Sequence, residues 1–179
     1  MTDDPLNYIL EEIRGIVSSV DADLLEEFVE DIATAKRIFI YGAGRSGLVG
    51  QLFSVRLVQM GLDVHFIGEM TTPIIAKDDL TILVSNTGDT MSVVQTANIA
   101  RRIGCKVVGI TGNSTNKLAQ ASSTVIVLNQ KGAVNHEYAP MGTIFEGSVG
   151  ILFDSLVPSL MKRLKTNEKD MRKRHAIWV

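Results

Sequence analysis

The chain has 179 residues, 45% of them hydrophobic, and a formal net charge of −2, enough length and apolar content to bury about 70% of its unfolded surface. No basic stripe interleaved with aromatic residues runs along it, which argues against a nucleic-acid partner, and no uninterrupted apolar run approaches the ~18 residues of a membrane span. A mean hydropathy of +0.17 is high for a small monomer and points to apolar surface covered by other subunits.

The opening Met1-Thr2-Asp3-Asp4-Pro5 has neither the basic n-region nor the apolar h-region of a secretory signal, so a cytoplasmic protein is expected. Leu6, Ile9, Leu10, Ile13, Ile16 and Val17 keep helical spacing, as do Leu24, Leu25, Phe28, Val29 and Ile32. Asp21 or Asp23 can cap the second of these helices, with Glu26 and Glu27 in its first turn. Strands near 37–41, 63–67, 80–85, 106–111 and 124–128 then alternate with helices near 46–60, 90–103 and 115–121. That alternation calls for a parallel sheet with helices on both faces, an α/β three-layer sandwich. The strands are nearly continuous apolar runs, as doubly covered strands should be. Cys105, the single cysteine, opens one such run and is read as a small buried hydrophobe rather than a reactive thiol.

After Leu128 the pattern stops. Residues 129–142 form a long loop, a length that in a compact domain is usually functional or disordered. Thr143 to Leu164 is apolar nearly all round a helix and is expected to be buried on several sides, partly by another subunit. Pro158 should kink or interrupt it. Asn167 can cap a last short helix ending near His175, in a stretch that holds the chain's basic cluster. The expected organisation is a single domain over 1–179: two N-terminal helices in 5–36, an α/β core over 37–128, and C-terminal helices over 143–175.

Two turns carry the chemistry. Gly42-Ala43-Gly44-Arg45-Ser46-Gly47 follows the first strand and Ser85-Asn86-Thr87-Gly88-Asp89-Thr90 follows the third; each opens a helix. Strand, polar Gly/Ser/Thr turn, helix points free backbone N–H groups and the positive end of a helix dipole at an anion. Two such turns on neighbouring strands suggest one phosphate grip. Gly42, Gly44 and Gly47 also satisfy the G-x-G-x-x-G dinucleotide pattern. Against a dinucleotide stand the polar Arg45 and Ser46 and the second turn. No well-placed ribose acid follows either, since Asp63 begins the second strand and Glu69 comes late. No Walker lysine is present.

These turns resemble the sugar isomerase (SIS) domain family, and within it the 6-phospho-3-hexuloisomerases. Further matching segments are Gly68-Glu69-Met70-Thr71-Thr72-Pro73, Pro140-Met141-Gly142-Thr143-Ile144-Phe145-Glu146 and the tail Met171-Arg172-Lys173-Arg174-His175-Ala176. Asn86 departs from the family, which commonly has glycine there, and leaves open what a bulkier residue does to the turn; Ile177-Trp178-Val179 also looks idiosyncratic. The resemblance implies the SIS fold and reversible conversion of a 3-hexulose 6-phosphate to fructose 6-phosphate. It also implies no metal or organic cofactor, and a homotetramer with sites completed by neighbouring subunits. Other implied possibilities are a related isomerase acting on arabinose 5-phosphate or sedoheptulose 7-phosphate, and a non-catalytic sugar-phosphate sensor.

Moving a carbonyl between C2 and C3 requires a base, a donor for the enediolate oxygen and a phosphate anchor. Glu146 is the candidate base: it sits in the first turn of the apolar helix, with no other carboxylate until Asp154. The bland reading of Glu146 is a carboxylate favoured by the helix dipole. His175 is the candidate for proton transfer at oxygen and ring opening, a role that rests on the matching tail. Gly44, Ser46, Ser85, Thr87 and Thr90 are the candidate phosphate ligands, through hydroxyls and backbone N–H groups, although such hydroxyls also cap helices. Arg45 suits either substrate oxygens or a carboxylate at a subunit contact. His65 is read as structural and His136 with Glu137 as a reserve acid/base pair; the three histidines show no metal-ligand spacing.

Overall fold

The structure, a computed structural model, describes residues 4–130 and 132–175. Two amphipathic helices come first, α1 (Pro5–Val17) and α2 (Ala22–Thr34). Asp4 caps α1 through its carboxylate on Leu6 N–H, with Pro5 in the first turn. Of the two possible caps for α2, Asp21 is used, accepting from Asp23 and Leu24 N–H. The helix thus starts early enough that Asp23, not Glu26 or Glu27, is its first-turn acid.

The alternating core consists of β1 (Ile38–Gly42), α3 (Gly44–Gln59), β2 (Val64–Phe66), β3 (Leu80–Ser85), α4 (Met91–Ile103), β4 (Lys106–Thr111), α5 (Lys117–Ala121) and β5 (Thr124–Val127). All strand pairs are parallel, in the order β2-β1-β3-β4-β5. One face carries Ile38, Ile40, Ile82, Val84, Val108, Ile110 and Ile126 against α1, α2, α3 and the long helix α6 (Thr143–Arg163). The other carries Leu83 and Val107 against α4 and α5. Alternate strand residues thus face opposite helical layers, which makes the strands largely apolar on both faces.

α6 is covered in part within its own chain, by α1, α2 and α3: Phe153 stacks on Phe53 of α3 with ring centroids 4.0 Å apart. By length and composition this 21-residue helix could cross a bilayer, yet Ile144, Val149, Leu152, Leu156 and Leu160 are buried in the core. The helix also runs on through Pro158 without interruption. Burial of Leu156 and Leu160 on either side offsets the ~3 kcal/mol that an interior proline costs.

Asn167 caps the final helix, α7 (Glu168–Lys173), by accepting from Asp170 N–H. α7 packs on the C-terminal end of α3, where Arg174 Nη1 donates to the carbonyl of Gln59 at 3.4 Å. Ala176 and Ile177-Trp178-Val179 lie outside the described residues, as do Met1, Thr2 and Asp3. Apolar side chains remain exposed on one face of α3, at Leu48, Leu52 and Val55, and on α6 at Ile151.

Candidate active site

The strand order reverses direction between β1 and β3, and in open parallel sheets ligands bind outside the carboxyl ends of the strands at such a switch point. Gly42 pairs with Val84 in the β1–β3 register, so the turns after these strands lie side by side. Asp63 stands at the opposite edge, with its carbonyl accepting from Ile38 N–H, and Glu69 lies in the connection after β2. Asp63 is therefore not placed as a ribose ligand at the first turn.

Helix capping separates two sets of helices. α1, α2, α5 and α7 carry side-chain caps, from Asp4, Asp21, Asn116 and Asn167. α3, α4 and α6 do not: their N-cap residues Ala43, Thr90 and Gly142 make no side-chain bond to the first-turn amides. α3 and α4 open directly from the two switch-point turns, and α6 is joined to α3 through Glu146. Uncapped N–H groups and the positive dipole ends of α3 and α4 therefore converge where an anion would be held.

The second turn is built from its own hydroxyls. Ser85 Oγ lies 3.2 Å from Thr90 Oγ1 and accepts from Gly88 N–H. Thr87 is exposed, its Oγ1 accepting from Asp89 N–H at 3.3 Å. Beneath the turn lies Asn116, which the sequence reading missed. Asn116 Nδ2 donates to Thr111 Oγ1 and to the Asn113 carbonyl, while its Oδ1 accepts from Ala119 N–H. Leu118 N–H then holds the Gly88 carbonyl at 2.9 Å. An asparagine just before a short helix is an N-cap signal, but nothing local shows that it also supports a turn 28 positions earlier.

Asn86 leaves the turn intact. Among the described residues Met141 and Lys165 are the non-glycine residues with positive φ, so position 86 needs none of glycine's conformational freedom. Its side chain fits because Gly112 lies beside it: a Cβ there would be 2.6 Å from Asn86 Oδ1.

Glu146 is 8% exposed and is held by the first turn of α3. Arg45 Nε donates to Oε2 at 3.1 Å and Ser46 Oγ to Oε1 at 3.3 Å. The carboxylate thus reaches across to another helix rather than capping its own. Arg45, left open between substrate and subunit contact, pairs with a carboxylate of its own chain. Ser46 is buried, and its hydroxyl donates to this carboxylate. Gly44 is exposed at the opening of α3, with φ +57°.

A cleft of about 320 Å³ runs beside this point, lined by Asn86, Gly112, Gln130, His136, Met141 and Gly142 among others. His136 therefore reaches the cleft, while Glu137 is exposed next to it. His175 does not join Glu146 within one chain. It lines a separate groove with Leu52, Val55, Arg56 and Gln59, along the C-terminal half of α3, whereas Glu146 is held at that helix's first turn. His65 is half-buried on β2, with Nε2 3.0 Å from Asp63 Oδ1 and its ring beside Phe39, as a structural histidine should be. Cys105 is buried; burial pushes its thiol up, against the lowering effect of the Thr81 hydroxyl 3.1 Å away. Among the described residues no group of three His, Cys, Asp or Glu is placed to hold a metal ion.

The SIS domain profile matches residues 31–149, two thirds of the chain. This chain belongs to the SIS domain family. The matched span contains both switch-point turns and Glu146 but ends before His175. A Methanocaldococcus jannaschii protein named 3-hexulose-6-phosphate isomerase is 39% identical over 151 residues, covering 84% of this chain and 82% of its own length. A Bacillus subtilis protein of the same name is 30% identical over 173 residues, covering 94% of each. Among solved structures, a Methanococcus jannaschii protein for which that isomerase function was inferred superposes with a TM-score of 0.85. It is 36% identical and covers 99% of this chain and 98% of that one. The five-stranded parallel sheet with helices on both faces is thus the SIS fold.

Proposed function

We propose that this protein is a sugar-phosphate isomerase, and specifically a 6-phospho-3-hexuloisomerase. It would interconvert D-arabino-hex-3-ulose 6-phosphate and D-fructose 6-phosphate through a cis-enediol(ate). The observation that carries this reading is the buried Glu146 carboxylate, fixed by Arg45 and Ser46 beside two uncapped helix N-termini. The names of the two relatives support the choice of substrate.

In this mechanism the amides opening α3 and α4, with Ser85, Thr87 and Thr90, hold the phosphate and leave the carbonyl end toward Glu146. Glu146 removes the proton from C2, the electrons move to O3, and C2 and C3 become an enediol(ate). The hydroxyl proton then passes from O2 to O3, the same carboxyl returns the carbon-bound proton to C3, and C2–O2 becomes the carbonyl. A single carboxylate can serve both carbons because they are adjacent. Ser46 keeps that carboxylate aimed, and the Arg45 guanidinium supplies positive charge for the developing oxyanion.

Fructose 6-phosphate closes to a furanose and the 3-hexulose does not, so ring opening is needed from one side only. His175 would supply that proton transfer from a neighbouring subunit. The exposed Leu48, Leu52 and Val55 on α3 support such self-association, for which a homotetramer is proposed. The step would belong to formaldehyde fixation by the ribulose monophosphate pathway, in the cytoplasm and without a cofactor.

The test is fructose 6-phosphate formation from the 3-hexulose phosphate in excess chelator, for wild type and Glu146→Gln. Turnover by wild type alone, with sugar-phosphate binding kept in the variant, is the expected result. An equally active variant removes Glu146 from the mechanism. Binding without turnover in both points to another sugar phosphate or to a sensor.

A further inference from the structure

Glu146 has a neighbour that the mechanism above does not use. Gly142 caps α6 with φ +84°, and a Cβ at this position would lie 3.2 Å from both Glu146 carboxylate oxygens and 3.4 Å from Asn86 Nδ2. The carboxylate and the amide therefore face one gap, which the missing side chain of Gly142 keeps open. Asn86 is anchored by its backbone, whose carbonyl accepts from Gly112 N–H at 3.0 Å and from Thr111 Oγ1 at 3.2 Å. Its side-chain amide makes no hydrogen bond among the described residues, and Asn86 lines the cleft. A polar amide held beside a buried carboxylate, with its own donors unused, is suited to a ligand oxygen.

We propose that Asn86 is a substrate-positioning residue whose Nδ2 donates to a substrate oxygen next to the carbon that Glu146 deprotonates. The amide would approach from the β3 turn while Arg45 approaches from α3, so the planar enediolate would be gripped from two sides. This rests on the isomerase reading. A neutral donor holds an oxyanion without forming an ion pair with Glu146, a task that glycine at this position cannot perform.

The experiment compares wild type with Asn86→Ala and Asn86→Asp, after thermal melts establish that each is folded. The probes are turnover of 3-hexulose 6-phosphate, binding of inorganic phosphate, and binding of 4-phospho-D-erythronate, whose carboxylate stands for the C2–C3 enediolate. Asn86→Ala should lower kcat and weaken the erythronate roughly tenfold, the value of one charge-assisted hydrogen bond, with inorganic phosphate affinity unchanged. Asn86→Asp should weaken the erythronate further, by setting a second negative charge at the gap. Wild-type values for kcat and the erythronate in Asn86→Ala overturn the proposal. So does a parallel loss of inorganic phosphate affinity, which marks damage to the turn. If wild type binds the erythronate but turns over no hexulose phosphate, the isomerase reading fails, and Asn86 stands or falls by the binding ratio alone.

Discussion

Gly88 and Asn116 interlock: a Cβ on Gly88 would lie 2.0 Å from Asn116 Cγ, and Gly88 has φ +65°. The carboxamide of Asn116 occupies the space beside the turn after β3 that any other residue at 88 would fill. The turn's shape therefore depends on a side chain from the start of α5, itself held by Thr111, Asn113 and Ala119.

Gly88→Ala should accordingly cost about 2–4 kcal/mol, from overpacking and from left-handed backbone in a residue with a Cβ. It should also weaken sugar-phosphate binding. The double variant with Asn116→Ala removes the clash but not the strain, so its effects should be less than additive. Thermal melts and phosphate titration of the two single variants and the double check this; strict additivity would mean that the two residues do not press on each other.

Arg45 is mostly exposed, yet it holds the buried Glu146 carboxylate. Arg45→Met should lower the melting temperature, because it leaves the buried carboxylate with Ser46 alone, and lower kcat by roughly tenfold to a hundredfold, as loss of a transition-state donor does. Arg45→Lys should restore part of the charge but not the Nε contact. Steady-state kinetics separate the cases: a rise in KM with kcat intact would make Arg45 a ground-state binding residue instead.

The sheet, its helices and the two turns were legible because each rests on local pattern: apolar runs, helical spacing, and Gly/Ser/Thr turns after strands. Glu146 stood out as a carboxylate entering an apolar helix. Its partners did not, because Arg45 and Ser46 are about a hundred positions away and only folding joins them. For the same reason Asn116 went unseen. α6 shows another limit: a helix apolar all round must be covered, but its sequence does not say whether the cover is α1, α2 and α3 of its own chain or a second one.

His175 lies along the C-terminal half of α3, so any part it plays in the reaction must be in another subunit's site. Removing residues 171–179 would also remove Met171, which is buried in the core, and the point variant His175→Ala is the better probe. It should fold normally and lose turnover. Mixed with Glu146→Gln protein under conditions that exchange subunits, it should regain activity, since some sites then combine an intact Glu146 with an intact His175. Full activity in His175→Ala alone would return the residue to a surface role.

At the other edge of the sheet, Arg37 and Asp79 tie the start of β1 to the start of β3, with Nη2 and Oδ2 2.7 Å apart. Burial by itself pushes the Asp79 carboxyl up. The Arg37 guanidinium and the Ala76 N–H outweigh burial and hold it below the ordinary carboxylate range. The folded state thus binds this proton more weakly than the unfolded chain does. Its stabilisation is fully present above the unfolded value of about 4, and is lost as pH falls through the lower folded value. Asp79→Asn should therefore melt well below wild type at neutral pH, with the gap narrowing as the pH is lowered beneath about 4. Melting curves of both proteins across the acid range measure that gap, and a gap independent of pH would show that the pair contributes through shape and hydrogen bonding rather than charge.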